Sequence, residues 1–258
     1  MLRDRVILVT GSGAGIGFAT ARVCKEYGAK IVLHGPDAVQ MDDAAKQLGS
    51  DVFTITSDLS EPSSPQFIVD SVIKEFGRID GLVNNAARLD RCTIETMTDD
   101  LFDKMLDINL RAPLKLIQAA LPYMKAQNSS ASIVNIGSTN AHCGAPNLLL
   151  YSATKAALMT ATRNLADCLV PNLVRINQLN VGWTLTEGEH MLQLAEGRPE
   201  DWLDNIPHQF APSGTIMRPQ QIAEHVAFWL SQRSAPVTGQ VYEVEQYPLI
   251  GRNGVSER

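Results

Sequence analysis

What this sequence lacks narrows its function before any motif is considered. Its four cysteines, Cys24, Cys92, Cys143 and Cys168, stand far apart with no C-x-x-C pair. That excludes a zinc ribbon or a disulfide framework and suits free thiols in a reducing compartment. His142, His190, His208 and His225 show no H-x-x-x-H or comparable ligand spacing, so no metal is expected. Lys and Arg are scattered and the net charge is −6, so nothing here attracts a polyanion and nucleic acid is not an expected partner. No apolar run approaches the ~20 residues of a membrane-spanning helix. Met1 to Arg5 leads straight into an apolar strand, leaving no room for a leader peptide, and the expected setting is the cytoplasm. A Ser-, Gly- or Pro-rich linker, a charge block and an internal repeat are also missing. One domain over residues 1–258, with 45% hydrophobic residues to fill its core, is the simplest organisation.

What is present is a regular alternation. Val6 to Val9 reads as a buried strand, followed by a glycine-rich turn and an alanine-rich helix up to Lys25. Lys30 to His34 is the second strand, Asp37 to Leu48 a helix, and Val52 to Thr56 the third strand. Phe67, Ile68, Val72, Ile73 and Phe76 make a helical stripe stopped by Gly77, and Gly81 to Asn84 is the fourth strand. Met97 to Gln127 holds two helical stretches; Ser132 to Ile136 is a strand, Tyr151 to Leu169 a helix, and Leu173 to Asn177 a strand despite its polar members. Residues 183–218 show no simple strand or long helix, although Glu187 to Glu196 can form a short one, and a segment of that length is usually a functional cover. Gln220 to Ser231 and Val237 to Val244 close the chain as a helix and a seventh strand. Such alternation predicts an α/β fold with a parallel sheet covered on both faces.

Two stretches carry chemistry. Gly11, Ser12, Gly13, Gly15, Ile16 and Gly17 lie between the first strand and the first helix, where backbone N–H groups and a helix N-terminus can cradle a phosphate. The strict G-x-G-x-x-G spacing is not met, and a plain tight turn is the competing reading. Asp37 stands 20 residues after Gly17, where a carboxylate can bind ribose hydroxyls or simply cap a helix; His34 at the second strand's end can reach the same place. Further on, Tyr151 and Lys155 are four apart on a helix, so an ammonium can approach a phenol and favour its anion.

The turn resembles the T-G-x-x-x-G-x-G form of the classical short-chain dehydrogenase/reductase family, and Y-x-x-x-K with Ser138 thirteen residues earlier strengthens the likeness. The resemblance implies a single Rossmann-type doubly wound domain with a parallel seven-stranded sheet and a substrate cover after strand six. It implies a catalytic tetrad of Asn109, Ser138, Tyr151 and Lys155: Tyr151 as acid/base, Ser138 orienting the substrate oxygen, Lys155 holding the nicotinamide ribose, and Asn109 supporting a water relay. It also implies that Asp58 and Leu59 contact adenine, that Asn85, Ala86 and Ala87 border the cofactor, and that Gly182, Thr184 and Thr186 face its nicotinamide and pyrophosphate. Ala87 replaces the family's glycine in Asn84-Asn85-Ala86-Ala87, and Val181 replaces its proline before Gly182. NAD is preferred to NADP, since Gly35 and Pro36 occupy the family's discriminating positions and no cation stands in the turn. Classical members are usually homodimers or homotetramers, through helices corresponding to about 98–126 and 151–169.

The expected substrate wall spans 88–93, 139–150 and 183–212, with Ser138, Asn140, His142, Tyr151, Trp183 and His190 as its named contacts. These polar groups suit a secondary alcohol or carbonyl of a small polyol or sugar. An apolar lid of Leu148 to Leu150 with Met191 and Leu192 would instead suit a carbonyl reductase for an apolar ketone, using NADPH. A non-catalytic dinucleotide-binding or regulatory protein is the third reading.

Overall fold

Short apolar runs bounded by glycine become strands because each must bury side chains on both faces of a sheet. The computed structural model describes residues 1–49, 51–127, 129–142 and 144–249, so the expectation for the Cys143 thiol lies outside the described residues. Its strands are β1 (Val6–Thr10), β2 (Lys30–Gly35), β3 (Val52–Thr56), β4 (Gly81–Asn84), β5 (Ala131–Ser138), β6 (Val174–Val181) and β7 (Val241–Val244). All pair in parallel, in the order β3-β2-β1-β4-β5-β6-β7. The order reverses between β1 and β4, and in such sheets a crevice opens there beyond the carboxyl ends of the strands.

The helices are α1 (Gly15–Glu26), α2 (Ala38–Leu48), α3 (Ser64–Phe76), α4 (Asp99–Leu106), α5 (Ala112–Ala126), α6 (Leu149–Leu169), α7 (Glu187–Ala195) and α8 (Pro219–Leu230). Strand periodicity splits the core in two. Ile7, Val9, Ile31 and Leu33 pack with α1, α2 and α8, whereas Val6, Leu8, Val32, Ile133 and Ile176 pack with α3, α5 and α6. The single Rossmann-type doubly wound domain is therefore present, with helices on both faces.

The differences from the expected elements have local causes. β6 runs four residues beyond Asn177, because its polar residues find partners inside the protein rather than in water. Arg175 donates to the carbonyls of Trp229 and Ser231 and to Ser234 Oγ, closing the end of α8. β7 begins at Val241 rather than Val237, since Gly239 turns with φ +73° while its N–H bonds the Ile176 carbonyl. α6 starts two residues before Tyr151, and β5 reaches Ser138. Among the described residues no helix is long and apolar enough to cross a membrane, and no group of three or more His, Cys, Asp and Glu is placed to hold a metal.

Candidate active site

The glycine turn is shaped by close approach. A Cβ on Gly17 would stand 2.2 Å from the Gly11 carbonyl oxygen, so only glycine lets α1 begin so near the end of β1. Asn85, just past β4, donates from Nδ2 to the carbonyls of Thr10 and Gly11, and Thr10 Oγ1 accepts from the N–H groups of Asn85 and Ala86. Strands β1 and β4 are thereby locked together beneath the turn. The N-termini of α2, α4 and α7 are capped by Asp37, Thr98 and Thr186, whereas α1, like α3, α5 and α6, has no side-chain cap and no acidic residue in its first turn, and α1 alone of these begins in the glycine turn. Its free N–H groups and dipole fit an anionic pyrophosphate, and the uncapped end beside glycines is where a dinucleotide fits this chain.

Across the crevice, Ser138 ends β5 and Tyr151 lies in the first turn of α6. Ser138 Oγ accepts from the Asn140 N–H at 3.1 Å and is hydrogen-bonded to the Tyr151 phenol. Burial pushes the Tyr151 phenol above its ordinary range; the Ser138 hydrogen bond works against this, and the nearby Glu189 charge adds to it. Lys155 is 2% exposed, its ammonium 5.6 Å from the Tyr151 ring centre and donating to the Ile136 carbonyl at 2.7 Å. Desolvation brings that ammonium down to about 8. Burial is the largest influence on the phenol, and the hydrogen bond from Ser138 is what opposes it in this arrangement. Asn109 sits in a π-helical turn between α4 and α5, a local widening common at functional sites. Its amide exchanges two hydrogen bonds with the Arg88 backbone and donates to Thr154 Oγ1 at 3.1 Å, tying the loop after β4 to α6 beside Lys155.

These groups open onto a cavity of about 600 Å³. Its far wall is the cover over residues 183–218, which has a small core of its own around Trp202, Ala211 and Ile216. Trp183 stacks on Trp202 with ring centres 5.5 Å apart, and Phe210 meets Trp183 edge-on. Thr186 caps α7, which turns Glu189 and Gln193 to the cavity while Met191 is 60% exposed. Glu189 Oε1 accepts from Trp183 Nε1 at 2.7 Å and from Gln193 Nε2 at 2.8 Å. Its other oxygen makes no hydrogen bond among the described residues.

A family model described as enoyl-(acyl carrier protein) reductase matches residues 11–246. The chain belongs to the classical short-chain dehydrogenase/reductase family. It is 34% identical over 256 residues to short chain dehydrogenase adrF of Penicillium rubens, covering 95% of this chain and 97% of that one. Among solved structures, L-sorbose reductase from Gluconobacter frateurii, complexed with NADPH and L-sorbose, aligns with a TM-score of 0.89 at 28% identity, covering 95% of this chain and 96% of that one. The 3-ketoacyl-(acyl-carrier-protein) reductase of Brucella melitensis, complexed with NADH, aligns at 0.83 and 27% identity, over 95% and 98%. As a short-chain dehydrogenase/reductase the chain is an enzyme, an NAD(P)-dependent oxidoreductase acting on alcohol and carbonyl carbons.

Within this short-chain dehydrogenase/reductase the residues singled out from the sequence fall into two groups. Ile16, Asn85, Ala87, Ser138, Asn140, Tyr151, Lys155, Gly182, Trp183, Thr184 and Thr186 line the cavity. Others have structural duties. Ser12 is fully buried, its hydroxyl accepting from the His34 N–H, and the His34 ring bonds Ser57 while burial brings its pKa down to about 4. Asp37 caps α2 through the Gln40 N–H, and Asp58 accepts from the Ser60 N–H, with Leu59 buried beside it. His142 pairs with Glu243 at 2.7 Å, and His190 accepts from Trp202 Nε1; neither lines the cavity. Both histidines act as supports, because each finds a partner on an adjoining segment. Val181 pairs with Ser138 on one side and Val244 on the other, a ladder position where proline would lack an N–H. Glu189 and Arg198 line the cavity without having been named individually. Glu189 alone left a trace in the sequence, the T-x-x-E spacing from Thr186 that fixes where α7 starts.

Proposed function

We propose that this protein interconverts a secondary alcohol and a ketone in a small polyol or sugar, with NAD as the preferred dinucleotide. The observation carrying this reading is the Glu189 carboxylate, which has one oxygen held by two N–H donors and the other open beside the acid/base tyrosine. An unpaired acceptor facing the cavity favours a substrate that brings its own hydroxyl donor over an apolar analogue. The neighbouring cavity residues Asn140 and Gln193 extend the same polar wall, whereas Met191 turns to solvent and leaves the apolar lid incomplete. L-sorbose, bound in the L-sorbose reductase of Gluconobacter frateurii, belongs to this chemical class.

In oxidation, Tyr151 as phenolate takes the proton from the substrate hydroxyl while Ser138 donates a hydrogen bond to the same oxygen. The C–H electron pair leaves as hydride, and the carbon becomes a carbonyl; bound dinucleotide supplies the hydride acceptor at nicotinamide C4, or the donor in reduction. Lys155 places a positive charge beneath the phenol and the ribose, and Asn109 holds the loop on which a proton path to solvent would run. The uncapped end of α1 and the glycine turn receive the pyrophosphate. A Cβ on Gly13 would meet the Met41 and Gln40 side chains, so the groups standing over that glycine are neutral and offer a 2′-phosphate no cation.

A substrate panel tests the reading: polyols with NAD and NADP, and apolar ketones with NADH and NADPH. Efficient polyol oxidation, faster with NAD, is expected. Turnover confined to apolar ketones with NADPH would replace this reading with that of a carbonyl reductase.

A further inference from the structure

The cavity holds three cationic side chains, and two of them are committed. Lys155 donates to the Ile136 carbonyl, and Arg91 is paired through Nε with Glu196 at 2.9 Å. Arg198 is different. Its guanidinium carbon lies 5.4 Å from the Trp183 ring centre and 5.5 Å from that of Trp202, so two indoles hold the flat cation in place. Yet the guanidinium makes no hydrogen bond and no ion pair among the described residues, although it is half-buried and lines the cavity. A fixed guanidinium with its N–H fork unused presents a matched pair of donors to a carboxylate or a phosphate.

We propose that Arg198 binds an anionic group, carboxylate or phosphate, at the end of the substrate away from the reacting carbon. This rests on the polyol reading for the rest of the substrate. Glu189 and Arg198 both meet Trp183, the carboxylate at its Nε1 and the guanidinium over its ring, and their opposite charges sort the groups of the substrate. Glu189 is close enough for its charge to reach the Tyr151 phenol, so an anion is repelled from the reacting end and hydroxyls are accepted there. Arg198 attracts the anion at the other end. With a net charge of −6, the protein as a whole offers no general attraction for anions, so this recognition has to be local.

The test uses three substrates differing only in one terminus: sorbitol, gluconate and sorbitol 6-phosphate, each with NAD. Wild-type enzyme is expected to favour one of the anionic pair over sorbitol at least tenfold in kcat/KM, with the winner identifying the anion. In R198M the ratio of kcat/KM for that anion over sorbitol should fall at least tenfold, chiefly through KM, and R198K should recover part of it. Equal losses on charged and neutral substrates in R198M would make Arg198 a structural support and overturn the proposal. So would a wild-type preference for sorbitol. If no polyol is oxidised, the polyol reading fails separately, and the anion site is then read from tryptophan fluorescence on titrating succinate and, separately, inorganic phosphate into the NADH-loaded enzyme. A saturable change with either anion in wild-type protein that is lost in R198M supports the site; the same response in both proteins, or none, overturns it.

Discussion

Two halves of one parallel sheet are built on opposite principles. β1, β2 and β4 are almost wholly apolar, with Ile7, Leu8, Ile31, Val32, Leu82 and Val83 excluded from solvent, and they place a glycine turn at their carboxyl ends. β5 and β6 bury Ser132, Asn135, Arg175, Asn177, Gln178 and Asn180 to the same degree. Asn135, Gln178 and Asn180 join Asn84 of β4 and Thr162 of α6 in one hydrogen-bonded path. Asn84 donates to Asn135, Asn135 to Thr162 on α6, Thr162 to Gln178 and Gln178 to Asn180. The apolar half needs only burial to form, because what it offers at its carboxyl ends is a turn of backbone rather than a set of placed side chains. The polar half must fix α6, which carries Tyr151 and Lys155, and directional hydrogen bonds do this better than apolar packing.

The comparison can be broken in graded steps. The largest effect is expected at Lys155, where Lys155→Met should lower kcat by at least ~100-fold through loss of the charge below the phenol. The same change removes a buried ammonium, so the melting temperature at pH 7 should not fall; a large fall would mean that Lys155 serves the fold instead. Next come paired changes in the two halves. Leu8→Ala should cost about 2–5 kcal/mol in denaturant unfolding while leaving the kcat of the folded enzyme nearly intact. Asn135→Leu should cost about 1–3 kcal/mol, leaving the buried Asn84 amide without its acceptor, but should also lower kcat because α6 loses its hydrogen bond to β5 through Thr162. If Leu8→Ala reduced kcat as much as Asn135→Leu, the division between the halves would not hold.

His34 gives the smallest and most specific effect. Its folded-state pKa of about 4 lies below the ordinary 6.5, so the unfolded chain binds the extra proton first as pH falls. Stability is complete above about pH 6.5 and declines toward pH 4, by on the order of 3 kcal/mol if that shift is fully expressed. Equilibrium unfolding across that window should show the decline, and His34→Asn should flatten it. An unchanged slope in the variant would assign the acid sensitivity elsewhere.

The apolar half and the tyrosine–lysine pair were legible in the sequence because they obey short periods: alternation for strands, four residues for one helical face, and glycine where a Cβ cannot fit. The polar half was read less well. Residues such as Asn177 and Asn180 look like strand ends until their partners on other elements are known, and the sequence pattern therefore stops β6 four residues short of Val181. His142 and His190 lay in the right segments, but their direction depends on Glu243 and Trp202, which are distant in the chain. Arg198 had no local signature, since it acquires its role only when Trp183 and Trp202 stack beside it.

The most direct measurement compares wild-type and Tyr151→Phe protein for NADH binding, by fluorescence, and for turnover of the best substrate from the panel across pH. Oxidation by wild-type enzyme should rise with pH, because the buried phenol must lose its proton before it can accept one. Tyr151→Phe should bind NADH as wild type does and lose ~10²–10⁴-fold in kcat at every pH, since the ring still packs while the proton-transfer group is gone. Turnover retained by the variant, or NADH binding absent from the wild type, would contradict the account.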